Sequence, residues 1–363
     1  MDQVNIDNYA HLALDRRLAS DILSESGSIL LREGMVITPS HIRLLRQNGI
    51  KTISVSGHTS FLEQLDQKCK EQHKPFIAAY RDQFHRLEVL FNSTEADVEV
   101  DVTETLDAFD QLATEALRSH SLLELLQQLE GHEGYLLRHS IHVGLMTSLI
   151  AKLNHFPDED VIEIGKAGLL HDIGMVKLPE TIFNKPDTLS PEETDAIFKH
   201  TEIGYDMLQK QGVSQYILDG AFYHHERMDG SGYPKERSGD DIPKVAQMIA
   251  IADVFDAVSS DRIFRKKQSP FKALSELKKD IYEKRLSAVY GIPFINHMVS
   301  VYTGTEVFLS DGRTGKIILF NAMNIENPLI SVDGDVHQLN DLKGVTIQDI
   351  ADNRLKDLQG EEA

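Results

Sequence analysis

Seven side chains in this 363-residue chain have the types and spacing of a metal centre: His139, His171, Asp172, His200, His224, His225 and Asp253. They fall in five segments: LLRHSIHV (136–143), GLLHDIGMVK (168–177), KHTEIG (199–204), FYHHERMDGSGYP (222–234) and IAIADVFDA (249–257). Each segment sets a histidine or aspartate beside apolar or small residues. Five imidazoles and two carboxylates exceed the three or four protein ligands of a single zinc. They suit two divalent metals with positions left for water and substrate. Mixed imidazole and carboxylate ligation favours iron or manganese over thiolate-seeking metals. Such a pair would clamp a phosphate oxygen and activate a water for in-line attack. A single histidine on an apolar helical face is normally a satisfied core residue, but five coincident segments do not fit that explanation.

The elements that must position these groups read as helices. Counting back by four from His224 and His225 gives Gly220 and Ala221, then Tyr216 and Ile217. Positions four apart share a helical face, so the pair should face inward with small residues one turn away. His200 lies between Ile197 and Gly204 on a helix whose start is marked by Ser190-Pro191-Glu192-Glu193. That is a capping box with proline at the first helical position. His139, Val143, Met146 and Ile150 form one stripe, and Asp253 follows Ile249 by one turn in a segment apolar enough to be core. A buried aspartate needs a partner, and a metal fits among so many histidines. Adjacent helical residues point about 100° apart, so His171 and Asp172 serve one centre between two metals or near a helix end. Ile173-Gly174 suggests such an end, and Asp172 is the natural bridging carboxylate.

The whole chain reads as mainly α. A small α+β regulatory module is expected over 1–57, with strands at 28–31, 35–37 and 51–55 and a helix over 40–48 stopped by Gly49. Residues 58–104 read as a helical linker followed by the acidic connector Asn92–Glu104. An all-helical catalytic core follows over 105–303. The period changes at Thr305, giving a small β-rich C-terminal domain over 304–363 with strands at 306–309, 315–320 and 329–332, an Asp311-Gly312 hairpin and a frayed tail. A net charge of −20 argues against a nucleic-acid polymer or an anionic membrane as partner. There is no apolar run of about 18 residues and no basic, apolar leader, so no membrane span or export is expected. The lone Cys69 suits a reducing cytoplasm.

The segment GLLHDIG resembles the signature of HD-domain phosphohydrolases, and HHERMDGSGYP resembles the HD-GYP subfamily, over roughly residues 105–303. The resemblance implies a bacterial signalling enzyme: a metal-dependent phosphodiesterase that hydrolyses cyclic di-GMP to pGpG, GMP or both. It implies His139, His171, Asp172 and Asp253 as ligands of one metal, and Asp172, His200, His224 and His225 as ligands of the other. Asp172 is thereby catalytic as well as ligating. It implies that the loop Gly232-Tyr233-Pro234 lines the site and helps recruit a diguanylate cyclase. Gly232 is expected to supply a positive φ and Pro234 to stiffen the residues after it. Arg262 and Arg265 match basic positions used on substrate phosphates, a role suited to bidentate guanidinium geometry. Two departures stand out. Where many members carry a lysine after HDIG, this chain has Met175, and Lys177 is the nearest substitute for a catalytic and substrate-binding role. Where trinuclear members carry a glutamate, it has Tyr135, with Glu133 out of helical register, so two metals are expected rather than three.

Two alternatives remain open on sequence. The same chemistry serves another cyclic dinucleotide such as 3′,3′-cGAMP, because guanine recognition is not in the metal motif. A weakly active sensor that binds a cyclic dinucleotide or a cyclase is favoured by Met175, while the full ligand set and Tyr233 count against it. A homodimer is a further open partner.

Overall fold

The computed structural model describes residues 2–6, 17–24, 29–35, 37, 39–56, 73–93, 101–118, 122, 126, 129, 134–179, 190–260 and 268–350. Arg262 and Arg265 lie outside the described residues, as does the tail from 351.

Helix α1 (Pro39–Gln47) ends at Gly49, whose φ of +71° makes the left-handed turn that other residues resist. The strands β1 (Asp2–Asn5), β2 (Arg17–Leu18), β3 (Ile22–Leu23), β4 (Ile29–Leu31) and β5 (Thr52–Ser56) accompany it. A three-stranded sheet runs β1-β5-β2, and β3 pairs with β4. The expected strand at 35–37 is absent at its described positions, Met35 and Ile37. Met35 instead accepts the Leu18 amide through its carbonyl, just beyond the turn at Gly34. Val4, Ile6, Leu18, Leu31, Ile37, Ile42, Leu45, Ile53 and Val55 form a separate small core.

The further helices among the described residues share a second, larger core, apart from Pro191–Phe198, which buries no residue. In chain order they are α2 (Lys74–Ser93), α3 (Thr103–Arg118), α4 (Tyr135–Leu153), α5 (Asp158–Leu169), α6 (Pro191–Phe198), α7 (His200–Gln209), α8 (Gln215–Tyr223), α9 (Lys244–Ser259), α10 (Pro270–Tyr282) and α11 (Ala288–Tyr302). Every residue from Arg138 to Ala151 of α4 is buried, and α9 is buried from Val245 to Ala252. A helix buried on all sides belongs at the centre, and these two pack on each other. The acidic connector is shorter than its composition suggests, because α3 already starts at Thr103, whose amide donates to the Asp101 carboxylate. The capping box forms as expected at Ser190, but the chain turns at Lys199, so His200 opens a new helix.

The C-terminal strands β6 (Glu306–Leu309), β7 (Thr314–Leu319), β8 (Leu329–Val332), β9 (Asp335–Gln338) and β10 (Ile347–Ile350) make one antiparallel sheet in the order β10-β6-β7-β8-β9. Its buried side chains, including Val307, Ile317 and Ile330, join the helical core. Phe271 of α10 bridges the two layers through ring contacts with Tyr302 and Phe320.

Candidate metal centre

The seven predicted side chains come from separate elements and meet at one place. His139 projects from the central helix α4, and Asp253 from α9 beside it. His171 and Asp172 come after the end of α5, and Asp172 caps a 3-10 turn over Ile173–Lys177. His200 opens α7, while His224 and His225 come directly after the last residue of α8. Close approach is built in at Gly174: a Cβ there would lie 2.0 Å from the His200 carbonyl oxygen and 2.7 Å from the Gly204 nitrogen. Glycine therefore lets the turn after Asp172 press against the first turn of α7, which brings His200 to the aspartate.

The donor atoms form two groups: Asp172, His200, His224 and His225 in one, and His139, His171 and Asp253 in the other. Within each group they lie within 4.8 Å of one another. Asp172 stands between the groups. Its Oδ1 is 3.2 Å from His200 Nε2 and 3.5 Å from His224 Nε2. Its Oδ2 is 3.4 Å from His171 Nε2 and 3.9 Å from His139 Nε2. His139 Nε2 also lies 3.3 Å from Asp253 Oδ1.

The hydrogen bonds behind these atoms fix which nitrogen faces inward. His171 Nδ1 donates to Gly168 O, His200 Nδ1 to Ile197 O and His224 Nδ1 to Gly220 O. A carbonyl only accepts, so in the neutral rings each Nε2 presents a lone pair to the centre. Two of those lone pairs, on His200 and His224, are 3.2 Å apart, and the buried His171 Nε2 makes no hydrogen bond. Facing lone pairs in a buried site repel unless a proton or a metal ion lies between them. The residues present therefore fit divalent metals, which ligand histidines bind through one nitrogen while the other is held by a protein acceptor.

Charge follows the same division. Burial alone would raise Asp172 and Asp253, but histidines around each hold both carboxyls well below the usual carboxylate range. Burial lowers His224 to about 4, and burial with the neighbouring His224 puts His225 well below the ordinary imidazole value. His200 is raised despite burial, because Asp172 stabilises its charged form.

Known proteins bear on this arrangement. The model of the HD domain family matches residues 121–285. A cyclic di-GMP phosphodiesterase of Pseudomonas aeruginosa, PA4108, is 30% identical over 244 residues, covering 67% of this chain and 58% of that protein. The chain belongs to the HD-GYP family. A cyclic di-GMP phosphodiesterase of Thermotoga maritima is 33% identical over 171 residues, covering 47% of this chain and 45% of its own length. The 3′3′-cGAMP-specific phosphodiesterase 3 of Vibrio cholerae is 34% identical over 148 residues, covering 41% of this chain and 32% of its own. The chain thus spans between about a third and three fifths of these relatives. The solved structure of Bd1817, an HDG"Y"P protein from Bdellovibrio bacteriovorus, superposes with a TM-score of 0.53 at 16% identity, covering 82% of this chain and 99% of that one. At that identity the likeness concerns the fold.

In this HD-GYP chain the Gly-Tyr-Pro loop lies against the centre. The Tyr233 ring stacks on His225 at 4.7 Å and on Phe198 at 3.9 Å between centroids. Gly232 does not take the expected positive φ; Gly230 does, at +81°. What Gly232 supplies is room, since a Cβ there would lie 2.4 Å from His225 O and 2.5 Å from Arg227 N. The loop is tied down by Glu226, a buried carboxylate that accepts the Lys235 amide at 2.7 Å and the Arg237 amide at 2.9 Å. Lys177 ends the 3-10 turn and is exposed. Tyr135 stacks nearly parallel on His139 at 5.5 Å.

Sequence reasoning missed four residues: Glu226, Asp256, His142 and Tyr80. Asp256 is buried, accepting from His139 Nδ1 at 2.7 Å and from His142 Nδ1 at 3.0 Å. Tyr80 bonds His142 Nε2 at 3.2 Å. A usable signal was present, because Asp256 and His142 repeat the i+3 spacing from Asp253 and His139 on two buried helices.

Proposed function

We propose that this chain is a metal-dependent phosphodiesterase that hydrolyses cyclic di-GMP to pGpG, GMP or both. The observation that carries the reading is Asp172, whose two oxygens address two different histidine groups. His139, His171, Asp172 and Asp253 would hold one ion, and Asp172, His200, His224 and His225 the other. Two ions, of iron or manganese, suit this all-nitrogen-and-oxygen set. When bound, such ions neutralise phosphate charge and supply an activated water as nucleophile. The chain's own part is positional. Carbonyls behind His171, His200 and His224 hold each ring in one tautomer, Asp253 balances charge on the first side, and Tyr233 walls the second side from solvent. Lys177, Arg262 and Arg265 are proposed to meet the substrate phosphates, with Tyr233 lining the same pocket. A diguanylate cyclase at the Gly-Tyr-Pro loop, a homodimer and a cytoplasmic location belong to the same proposal; no helix among the described residues is long and apolar enough to cross a membrane.

Other cyclic dinucleotides form the second reading, favoured by relatives named as 3′3′-cGAMP-specific phosphodiesterases. The test is anaerobic loading with Fe(II) or Mn(II), incubation with cyclic di-GMP and 3′,3′-cGAMP in parallel, and chromatography of the products. Chelator-sensitive pGpG or GMP from cyclic di-GMP is the expected result. Turnover of cGAMP alone moves the substrate to the second reading. Metal uptake without turnover of either substrate overturns the enzyme reading.

A further inference from the structure

Three of the candidate ligands, His171, His200 and His224, are oriented by carbonyls three or four residues earlier in their own segment. His139 is different. Its Nδ1 donates to a side chain, the Asp256 carboxylate on α9, and the chain of bonds continues outward. Asp256 uses both oxygens: Oδ2 takes His139 Nδ1, and Oδ1 takes His142 Nδ1 and the Ser260 hydroxyl. Since His142 Nδ1 donates to a carboxylate, the neutral His142 ring has its lone pair at Nε2, where it accepts from the Tyr80 hydroxyl at 3.2 Å. Asp256 and His142 are each about 3% exposed and Tyr80 is fully buried, so no solvent competes for these bonds. The protons have one consistent order: Tyr80 to His142, His142 to Asp256, and His139 to Asp256.

Tyr80 lies on α2, outside the matched HD domain and later in the chain than the small N-terminal module. We propose that Tyr80, His142 and Asp256 are positioning residues that set the orientation and donor strength of His139, and that α2 thereby tunes the affinity of one of the two metal positions. The inference rests on the proposed metal centre and is independent of which dinucleotide is hydrolysed. The coupling is selective, because His200 and His224 of the other group take no bond from this relay. A movement of α2 that lengthened the Tyr80 to His142 bond would loosen His139 and leave the second position intact.

The experiment is Mn(II) titration of the metal-free full chain by calorimetry, for wild type, Tyr80→Phe, Asp256→Asn and the double variant, with circular dichroism to verify folding. Asp256→Asn should weaken one of two Mn(II) sites by about 10–100-fold, the usual effect of losing a carboxylate behind a ligand histidine. Tyr80→Phe removes one neutral hydrogen bond and should weaken the same site by about 2–10-fold. The double variant should match Asp256→Asn alone, since a relay cut at the carboxylate no longer transmits the tyrosine. Wild-type affinity in both single variants, equal weakening of both sites, or fold-changes that multiply in the double variant would each overturn the proposal. Should Asp256→Asn fail to fold, Tyr80→Phe paired with His142→Asn gives the same cycle. A wild-type chain with two Mn(II) sites and no dinucleotide turnover fails the enzyme reading alone, whereas a wild type that takes up no Mn(II) fails the centre itself.

Discussion

Replacing Asp172 with asparagine would keep its shape and halve its usefulness, because an amide offers one acceptor oxygen where the carboxylate offers two to different histidines. Metal analysis of Asp172→Asn should find less than one ion per chain, and turnover should fall by more than about 100-fold, beyond the range seen when only a ligand's supporting bond is lost. Two ions retained at wild-type affinity would remove Asp172 from the bridging role. Protonation at the same residues predicts a pH dependence. Burial opposes charge on both rings, yet His200 is raised above the ordinary imidazole value by Asp172, and His139 by Tyr135 together with Asp253 and Asp256. The folded, metal-free centre therefore keeps protons that a metal must displace. Affinity for Mn(II) should rise with pH until those two rings are deprotonated and fall on acidification, with protons released on binding near neutral pH. In the metal-free chain the signs are opposite for the two kinds of group. The raised histidines add stability below their unfolded value and lose it as pH climbs through the folded one. The lowered Asp172 and Asp253 add stability above the ordinary carboxylate value and lose it as pH drops through the folded one. A pH indicator in weak buffer measures the released protons; binding without release would contradict the assignment.

Elements make this geometry possible by approaching closely, and two substitutions probe it. Gly174→Ala forces a methyl into the His200 carbonyl, backbone that cannot swing aside. It should cost about 1–3 kcal/mol, as overpacking does, and should weaken the metal position that uses His200. Thermal denaturation with metal analysis reads both effects, and a stable variant with full metal content would mean the turn and α7 can separate freely. Glu226→Gln leaves one of two loop amides without its charged acceptor, a loss of about 1.5–3 kcal/mol. Limited proteolysis should then cut the Gly-Tyr-Pro loop faster than in wild type. Much of this level was legible in the sequence. The capping box at Ser190 and the strands β6 and β8 follow from local rules that need no partner, and the helix end expected at Ile173-Gly174 comes a few residues earlier, after Leu169. The seven candidate ligands were legible because their residue types rarely coincide by chance. Of the relay, the spacing of Asp256 and His142 left a signal, but Tyr80 left none, since it is an ordinary core residue until α2, α4 and α9 are packed together. Gly232 shows the same limit: the glycine was visible, but its reason is the backbone from His225 to Arg227 lying against it, which no local rule reveals. The turn at Lys199 was hidden by continuous helical composition on both sides.

At the scale of the whole molecule the buried apolar side chains among the described residues fall into two separate cores. The small core of α1 and its strands shares no residue with the larger one, whereas α2, the helices of the centre and the C-terminal sheet contribute to a single cluster. That division differs from a boundary drawn by composition at residues 58–104, since Phe76, Tyr80 and Leu87 of α2 are buried in the same core as His139's helix. Calorimetry should accordingly resolve two unfolding transitions. Only the larger core contains the groups that face one another around Asp172, so only its transition should respond to metal. A ligand that binds the folded state alone adds stability that grows with its concentration, about 2.7 kcal/mol at 100 times its dissociation constant. Mn(II) should raise the transition belonging to the larger core and leave the other unmoved, and chelation should reverse the change. Assignment of the transitions comes from Leu87→Ala, which opens a cavity in the larger core and should cost about 2–5 kcal/mol there alone. A single transition, or equal metal shifts in both, would show that the N-terminal module and the metal centre unfold as one body, and that signals reaching the module reach the centre through the whole fold rather than through α2.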